Sequence, residues 1–387
     1  MGYSNWSTGN SFTTKTTYGV GSEHAKITGI NIDDFFGTSV SINSTGDTVV
    51  VGIVYAGLYV VTSKGYVKVY KLISGTWTQQ GITLQGDGDN DYFGRSVSIN
   101  GAGDIVAIGA YNAGYGTGYV KIYKNISGTW TLQGAKINGE AVGDYFGYSV
   151  SINDLGDIVV IGAFAANTQK GYAKVYKNIS NSWTLQGAKI IGEVTYDRFS
   201  NYLNINKLGD IVAIGASSAN NETGYVKVYK LISGTWTLQG AKILGESNNN
   251  VFGIVAINAL GNIIVVGAFS ASGGIGYAKV YELISGTWTQ QVKLIGEGTV
   301  QNYFGKSVSI NDTGDIIAVG APVFNNNVGY VKIYKNISGT WTQQVKLDGE
   351  ATLEQYGLSV SLNSTGDTLV VGAPFANSTR GYIKIYK

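Results

Sequence analysis

The sequence predicts an all-β fold: one seven-bladed β-propeller of four-stranded antiparallel blades, a single domain spanning residues 1–387. Three observations carry that expectation. A short repeat recurs seven times, each copy contains four strand-like segments, and the piece missing from the last copy stands near the start of the chain.

The repeat is marked first by an aromatic residue, at Phe36, Phe93, Phe146, Phe199, Phe252, Phe304 and Tyr356, 52 to 57 residues apart. Glycine follows each time except after Phe199, where Ser200 stands instead. A second glycine comes 15 or 16 residues later, at Gly52, Gly109, Gly162, Gly215, Gly267, Gly320 and Gly372, and alanine follows in six of the seven copies. A period of this size signals a propeller or a solenoid.

Each copy reads as four strands. The first resembles Ser149-Val-Ser-Ile-Asn153 and alternates small polar with β-branched residues. The second, Asp157-Ile-Val-Val-Ile-Gly162, is a continuous apolar run that needs cover on both faces. The third is Gly171-Tyr-Ala-Lys-Val-Tyr176, and the fourth begins at Trp183 and runs to Ile190. Asn-x-x-Gly, usually followed by Asp, joins the first strand to the second, and Ile-Ser-Gly-Thr or a near copy joins the third to the fourth; both read as tight turns.

The chain ends favour a closed ring over a solenoid. The last copy stops after its third strand at Tyr386-Lys387, while Ala25-Lys-Ile-Thr-Gly29 matches Ala135-Lys-Ile-Asn-Gly139 of a fourth strand. The N-terminal strand is therefore expected to complete the C-terminal blade, which leaves no open sheet edge. Trp6 lies 30 residues before Phe36, against 15 or 16 for the other tryptophans, so an irregular insert is expected within residues 7–24.

Composition narrows the function classes. Fifty-six glycines, two prolines and 27 tyrosines suit many short strands and turns, and a net charge of +2 offers no global attraction to nucleic acid or acidic membranes. There is no cysteine, hence no disulfide or thiolate metal site. No stretch approaches the roughly 20 apolar residues of a membrane span, and no signal-peptide pattern is visible. The lone histidine, His24, falls in the expected insert, so no histidine-based catalytic group can be assembled. Recurrent Gly-Glu pairs at Glu140, Glu193, Glu246, Glu297 and Glu350 could serve a polysaccharide lyase or hydrolase, but a residue repeated on most blades reads as architecture. The expectation is a protein without enzymatic activity.

Phe-Gly, a short hairpin and Gly-Ala or Gly-Ala-Pro, seven times over, resembles the FG-GAP repeats of the integrin α-subunit head. Trp77-Thr-Gln-Gln80 and Asp144-Tyr-Phe-Gly-Tyr-Ser-Val150 bring it nearer to the bacterial-type variety. The resemblance implies recognition of proteins or glycans outside the cell or on a cell or virion surface. Calcium-binding members carry an Asp-rich loop between the first and second strands; this chain has only the short Asn-x-x-Gly-Asp turn there, so no family-type calcium site is expected. One other loop, with Asp87, Asp89 and Asp91 at alternate positions, has the spacing that opens many calcium loops. A solvated acidic loop is the preferred reading, and a single Ca²⁺ the alternative.

The seven copies also differ from one another in an informative way. Turns one-to-two and three-to-four are nearly constant, whereas the two-to-three loops and the loops entering each Phe-Gly differ in every blade. In an up-and-down blade the two variable sets share one face. That face carries Tyr55, Tyr59, Tyr111, Tyr115, Phe164, Tyr196, Phe324 and Phe375, aromatic residues suited to a sugar ring or a protein hot spot. The expected partner is therefore a glycan or an extracellular protein, without nucleic acid or membrane insertion. A structural block in a surface array, appendage or virion is the alternative.

Overall fold

The computed structural model describes residues 21–54 and 64–387. Seven antiparallel sheets stand around a central axis, each numbered here as a blade by its aromatic, from blade 1 at Phe36 to blade 7 at Tyr356. Blade 3 shows the pattern from axis to rim: Phe146–Ile152, Ile158–Ala163, Tyr172–Ile179, then an outer strand of Ser182–Leu185 and Ile190–Ile191. Blade 7 is made from both ends of the chain. Glu23–Thr28 pairs antiparallel with Tyr382–Tyr386, setting Lys26 opposite Lys384 and Ile27 opposite Ile383. Glu23 and His24 belong to this strand rather than to the expected insert, of which residues 7–20, with Trp6, lie outside the described residues.

The core lies between blades rather than inside them. Because successive side chains of a strand point to opposite faces, Ile105, Ala107 and Ile122 of blade 2 meet Phe146, Val159 and Ile161 of blade 3 in one cluster, and neighbouring blades repeat this. Second strands such as Ile158–Ala163 are buried along their whole length. The recurrent second glycine is explained by the neighbour: a Cβ on Gly109 would stand 2.0 Å from the carbonyl oxygen of Gly147. Nearer the axis, Ser96 Oγ donates to that same Gly147 carbonyl at 2.9 Å, and the amide of Ile152 donates to Ser98 Oγ at 3.1 Å. Ser359 Oγ donates likewise to Gly37 at 2.8 Å, joining blade 7 to blade 1.

Two further contacts tie the rim. In blades 1 to 4 the outer strand carries one extra residue, a glycine in the left-handed region (Gly81, Gly134, Gly187, Gly240; φ between 66° and 73°), which interrupts the strand. The preceding glutamine carbonyl turns towards the next blade and accepts the indole N–H of its tryptophan: Trp183 Nε1 donates to Gln133 at 2.8 Å, and Trp130, Trp236 and Trp288 do the same. Blade 5 lacks the extra residue, its outer strand Thr287–Ile295 is continuous, and the buried Nε1 of Trp341 in blade 6 has no acceptor.

The repeated Gly-Glu carboxylate bridges blades too. Glu140, at the end of blade 2, receives Lys174 and Lys189 of blade 3 at 2.7 and 2.8 Å. Asp87, Glu193, Glu246, Glu297 and Glu350 do the same for their own neighbours. Six of the third-strand lysines also lie over a tyrosine ring, as Lys174 does over Tyr172, while in blade 7 Lys26 lies over Tyr382. At the blade 7–blade 1 junction Ile30 stands in place of the carboxylate, and burial pushes the Lys68 amine down against the pull of Asp34.

Two predictions follow from these rim contacts. Trp183→Phe removes a made hydrogen bond and costs about 1 kcal/mol in urea unfolding, whereas Trp341→Phe removes an unsatisfied donor and leaves stability equal or higher. The lysine hydrogen bonds hold Glu140, Glu193 and Glu350 below the usual carboxylate range. At Asp87 burial opposes ionisation, but the bonds from Lys121 and Lys136 outweigh it. Folded-state values below the unfolded ones mean that this stabilisation is complete above the ordinary glutamate value of about 4.3 and is lost as pH falls through the depressed values. Unfolding free energy measured against pH is therefore expected to drop on the acid side, and Glu140→Gln, removing pairs worth roughly 0.2–1 kcal/mol each, is expected to flatten that limb.

Candidate functional site: the two ends of the central channel

The inner strands of all seven blades line a central channel. In the Phe-Gly pair the glycine takes φ near +90°, as Gly94 (92°), Gly147 (88°) and Gly305 (90°) do, a conformation L-residues avoid. In blade 4, Ser200 adopts φ 72° with two hydroxyl bonds in support: it donates to the Tyr172 carbonyl at 2.6 Å and accepts from the Ala163 amide at 3.1 Å. The residue after this pair faces the channel, and it differs in every blade: Thr38, Arg95, Tyr148, Asn201, Ile254, Lys306 and Leu358.

The channel end at the one-to-two turns is spanned by a hydrogen-bonded collar around a smaller, polar cavity of about 130 Å³. The turn asparagine accepts from backbone amides within its own turn, as Asn100 does from Asp104 and Ile105, and donates to the residue that ends the turn, Asp104 in this case and Asn262 in blade 5. The residue after this asparagine then bonds its counterpart in a neighbouring blade. The amides of Ser44, Gly101 and Asp154 donate to the carbonyls of Gly101, Asp154 and Lys207, and those of Ala259, Asp312 and Ser364 to Asp312, Ser364 and Ser44. Lys207 crosses the centre of this collar. Its ammonium sits 3.1 Å from Asp154, 2.6 Å from Asp312 and 2.9 Å from Ser364 Oγ. Burial lowers the Lys207 amine, and the two carboxylates more than reverse that.

The opposite end, at the variable loops, opens into a cavity of about 240 Å³ lined by Phe35, Thr38, Val54, Arg95, Tyr111, Tyr202, Lys306, Leu358 and Phe375. Phe35 meets Phe375 edge to face at 5.1 Å. Arg95 lies over the Tyr148 ring at 4.9 Å and donates to its hydroxyl at 3.3 Å. Lys306 lies 3.9 Å from the centre of the Phe269 ring. Both cations look into the lumen yet are ringed by protein. Burial first, then the charge of Arg95, pushes the Lys306 amine down to about 8, and burial pushes the Tyr202 phenol up. No carboxylate among the described residues pairs with either cation.

The expected aromatic residues divide around this mouth. Tyr111 and Phe375 line it, and Phe164 joins Tyr111 through Tyr148, at 4.5 and 5.2 Å between ring centres. Tyr115 and Tyr196 stand apart on the rim, 92% and 61% exposed. Phe324 is not a free platform: it packs edge to face on Tyr330 of its own blade at 5.0 Å, with Lys346 over it. Tyr55 and Tyr59 lie outside the described residues.

The acidic loop is less special than its sequence suggested. Asp87 holds Lys121 and Lys136 as the counterpart of Glu140. Asp91 is buried and accepts from Tyr119 Oη at 2.9 Å and the Gly88 amide at 2.8 Å, as Asp144 does from Tyr172 and the Ala141 amide. Only Asp89 is peculiar to that blade. No three ligating side chains converge on a metal position among the described residues.

Sequence reading missed Arg95, Lys306 and Lys207, all in segments set aside as constant scaffold. The signal was available, since each occupies a position of its motif that changes from copy to copy.

No family model matches the chain, and no curated protein does. Among solved structures, the chain is similar to the hydrazine synthase of Kuenenia stuttgartiensis, with a TM-score of 0.64 and 10% identity over 93% of this chain and 97% of that one. It is also similar to U3-55K, with a TM-score of 0.62 and 12% identity over 94% and 98% of the two chains. At such identities the likeness shows the propeller fold and nothing finer.

Lys207→Met leaves Asp154 and Asp312 facing each other without a cation. It is expected to cost about 1–3 kcal/mol of unfolding free energy, read by denaturant titration at neutral pH. The penalty should shrink in acid as the carboxylates take up protons.

Proposed function

We propose that the chain is a non-catalytic recognition module, displayed outside the cell or on a cell or virion surface, that binds a glycan or a protein through its variable-loop face. The observation that carries this reading is the contrast between the channel ends. One end is spanned by a repeated collar and the Lys207 bridge, around a smaller polar cavity. The other is open, blade-specific and walled by aromatic rings. Unlike side chains gathered from different blades around one cavity are what a selective binding surface requires. The likeness of the repeats to FG-GAP units supports the surface location. The repeated carboxylates are paired with lysines between blades, which supports reading them as architecture.

A screen of the purified chain on glycan and surface-protein arrays tests the proposal. Specific binding is expected, unchanged by chelator, and weakened roughly tenfold or more by Tyr111→Ala or Phe375→Ala at unaltered melting temperature. Absence of binding on every array would instead favour a structural block of a surface assembly.

A further inference from the structure

We infer that the open mouth of the channel is a binding site for the carboxylate of an acidic sugar, held between Arg95 of blade 2 and Lys306 of blade 6. This rests on the recognition role proposed for that face and names the ligand chemistry.

Two cations from well-separated blades line one cavity of about 240 Å³, and no carboxylate pairs with either. Among the described residues the polar side-chain partner of Arg95 is the Tyr148 hydroxyl, and the Lys306 ammonium lies over the Phe269 ring. All 25 acidic residues of the chain lie among the described residues, because residues 1–20 and 55–63 contain neither aspartate nor glutamate. Elsewhere Lys207 and the clamp lysines meet carboxylates, and Lys68 at the blade 7–blade 1 junction, where Ile30 replaces the carboxylate, is the exception. Cations enclosed without a counter-ion are costly, and a bound anion relieves that cost.

The remainder of the lining selects the kind of anion. Phe35, Phe375, Val54 and Leu358 form an apolar wall, and Tyr111, Tyr202 and Thr38 bring hydroxyl groups. A pyranose ring carries an apolar C–H face for such a wall and hydroxyls for such partners. The cations come singly from separate blades, which fits a monoanion such as a carboxylate better than a phosphate dianion cradled by backbone amides. One ring carrying one carboxylate matches the size, the wall and the charge. An acidic peptide matches the charge but leaves the aromatic wall without a role.

Calorimetry of the full chain with sialylated and uronate oligosaccharides, each beside its carboxyl methyl ester, and with oligoglutamate tests this. The proposal expects at least one acidic sugar to bind and its uncharged ester to bind at least about tenfold more weakly. Lys306→Met and Arg95→Gln should each abolish that difference while keeping the parent melting temperature. If either variant misfolds, the pH profile of the parent chain decides. The titratable groups around Lys306 are Arg95, Tyr111, Tyr148 and Tyr202, and affinity should fall as pH rises through about 8, where Lys306 loses its proton. Equal binding of acid and ester, or of neutral glycans alone, overturns the carboxylate site and leaves the recognition face standing. Binding of oligoglutamate alone overturns the sugar in favour of a protein ligand. No binding by any probe overturns the site, and the surface-protein array then decides the wider reading.

Discussion

The second-strand glycine of each blade lies directly against the carbonyl oxygen that follows the aromatic of the next blade, with room for nothing but hydrogen; a Cβ at Gly215 would stand 1.9 Å from the Gly253 oxygen. That contact sets the distance between blades, and the rest of the ring is built at that distance. Inner-strand serines reach neighbouring backbone, tryptophans reach a carbonyl across the rim, and each acidic side chain spans to two lysines. Repeating one contact with one offset brings the ends of the chain together at blade 7.

A ring of near-identical units brings equivalent side chains together only at its axis. The one variable position after Phe-Gly therefore acts as a seven-member set, although its members are more than 50 residues apart in sequence. The same holds at the other end for the residue after the turn asparagine. There Ser44, Asp154, Lys207, Asp312 and Ser364 form a bonded cluster in which one ammonium is shared by two carboxylates. The axis is thus built with opposite electrostatics at its ends: two carboxylates to one ammonium at the collar, and cations without a carboxylate at the variable-loop mouth.

Much of this was legible in the residues. The blade count, the strand order and the split blade follow from the repeat, and the variable face follows from comparing copies. Other features depended on what a side chain meets. Phe324 looks like its aromatic counterparts in sequence, but it packs onto Tyr330 instead of facing the mouth. Asp87 and Asp91 look in sequence like members of a loop special to one blade, yet they make the contacts that Glu140 and Asp144 make one blade further on. The extra outer-strand glycine looks like a neutral length difference, yet it creates the acceptor that four tryptophans use and Trp341 lacks.

By itself the sequence determined the architecture, because hydrophobic alternation, turn chemistry and obligatory glycines are local demands repeated seven times. It also determined which loops differ. The tertiary structure alone decided where those differences meet, since convergence at the axis is set by ring closure and not by chain distance. It placed Arg95 and Lys306 in one cavity without a carboxylate, and Lys207 between two. The physical reason is that a lone charge and a paired charge are the same letter in a sequence, and only the packed ring fixes which partners lie within reach.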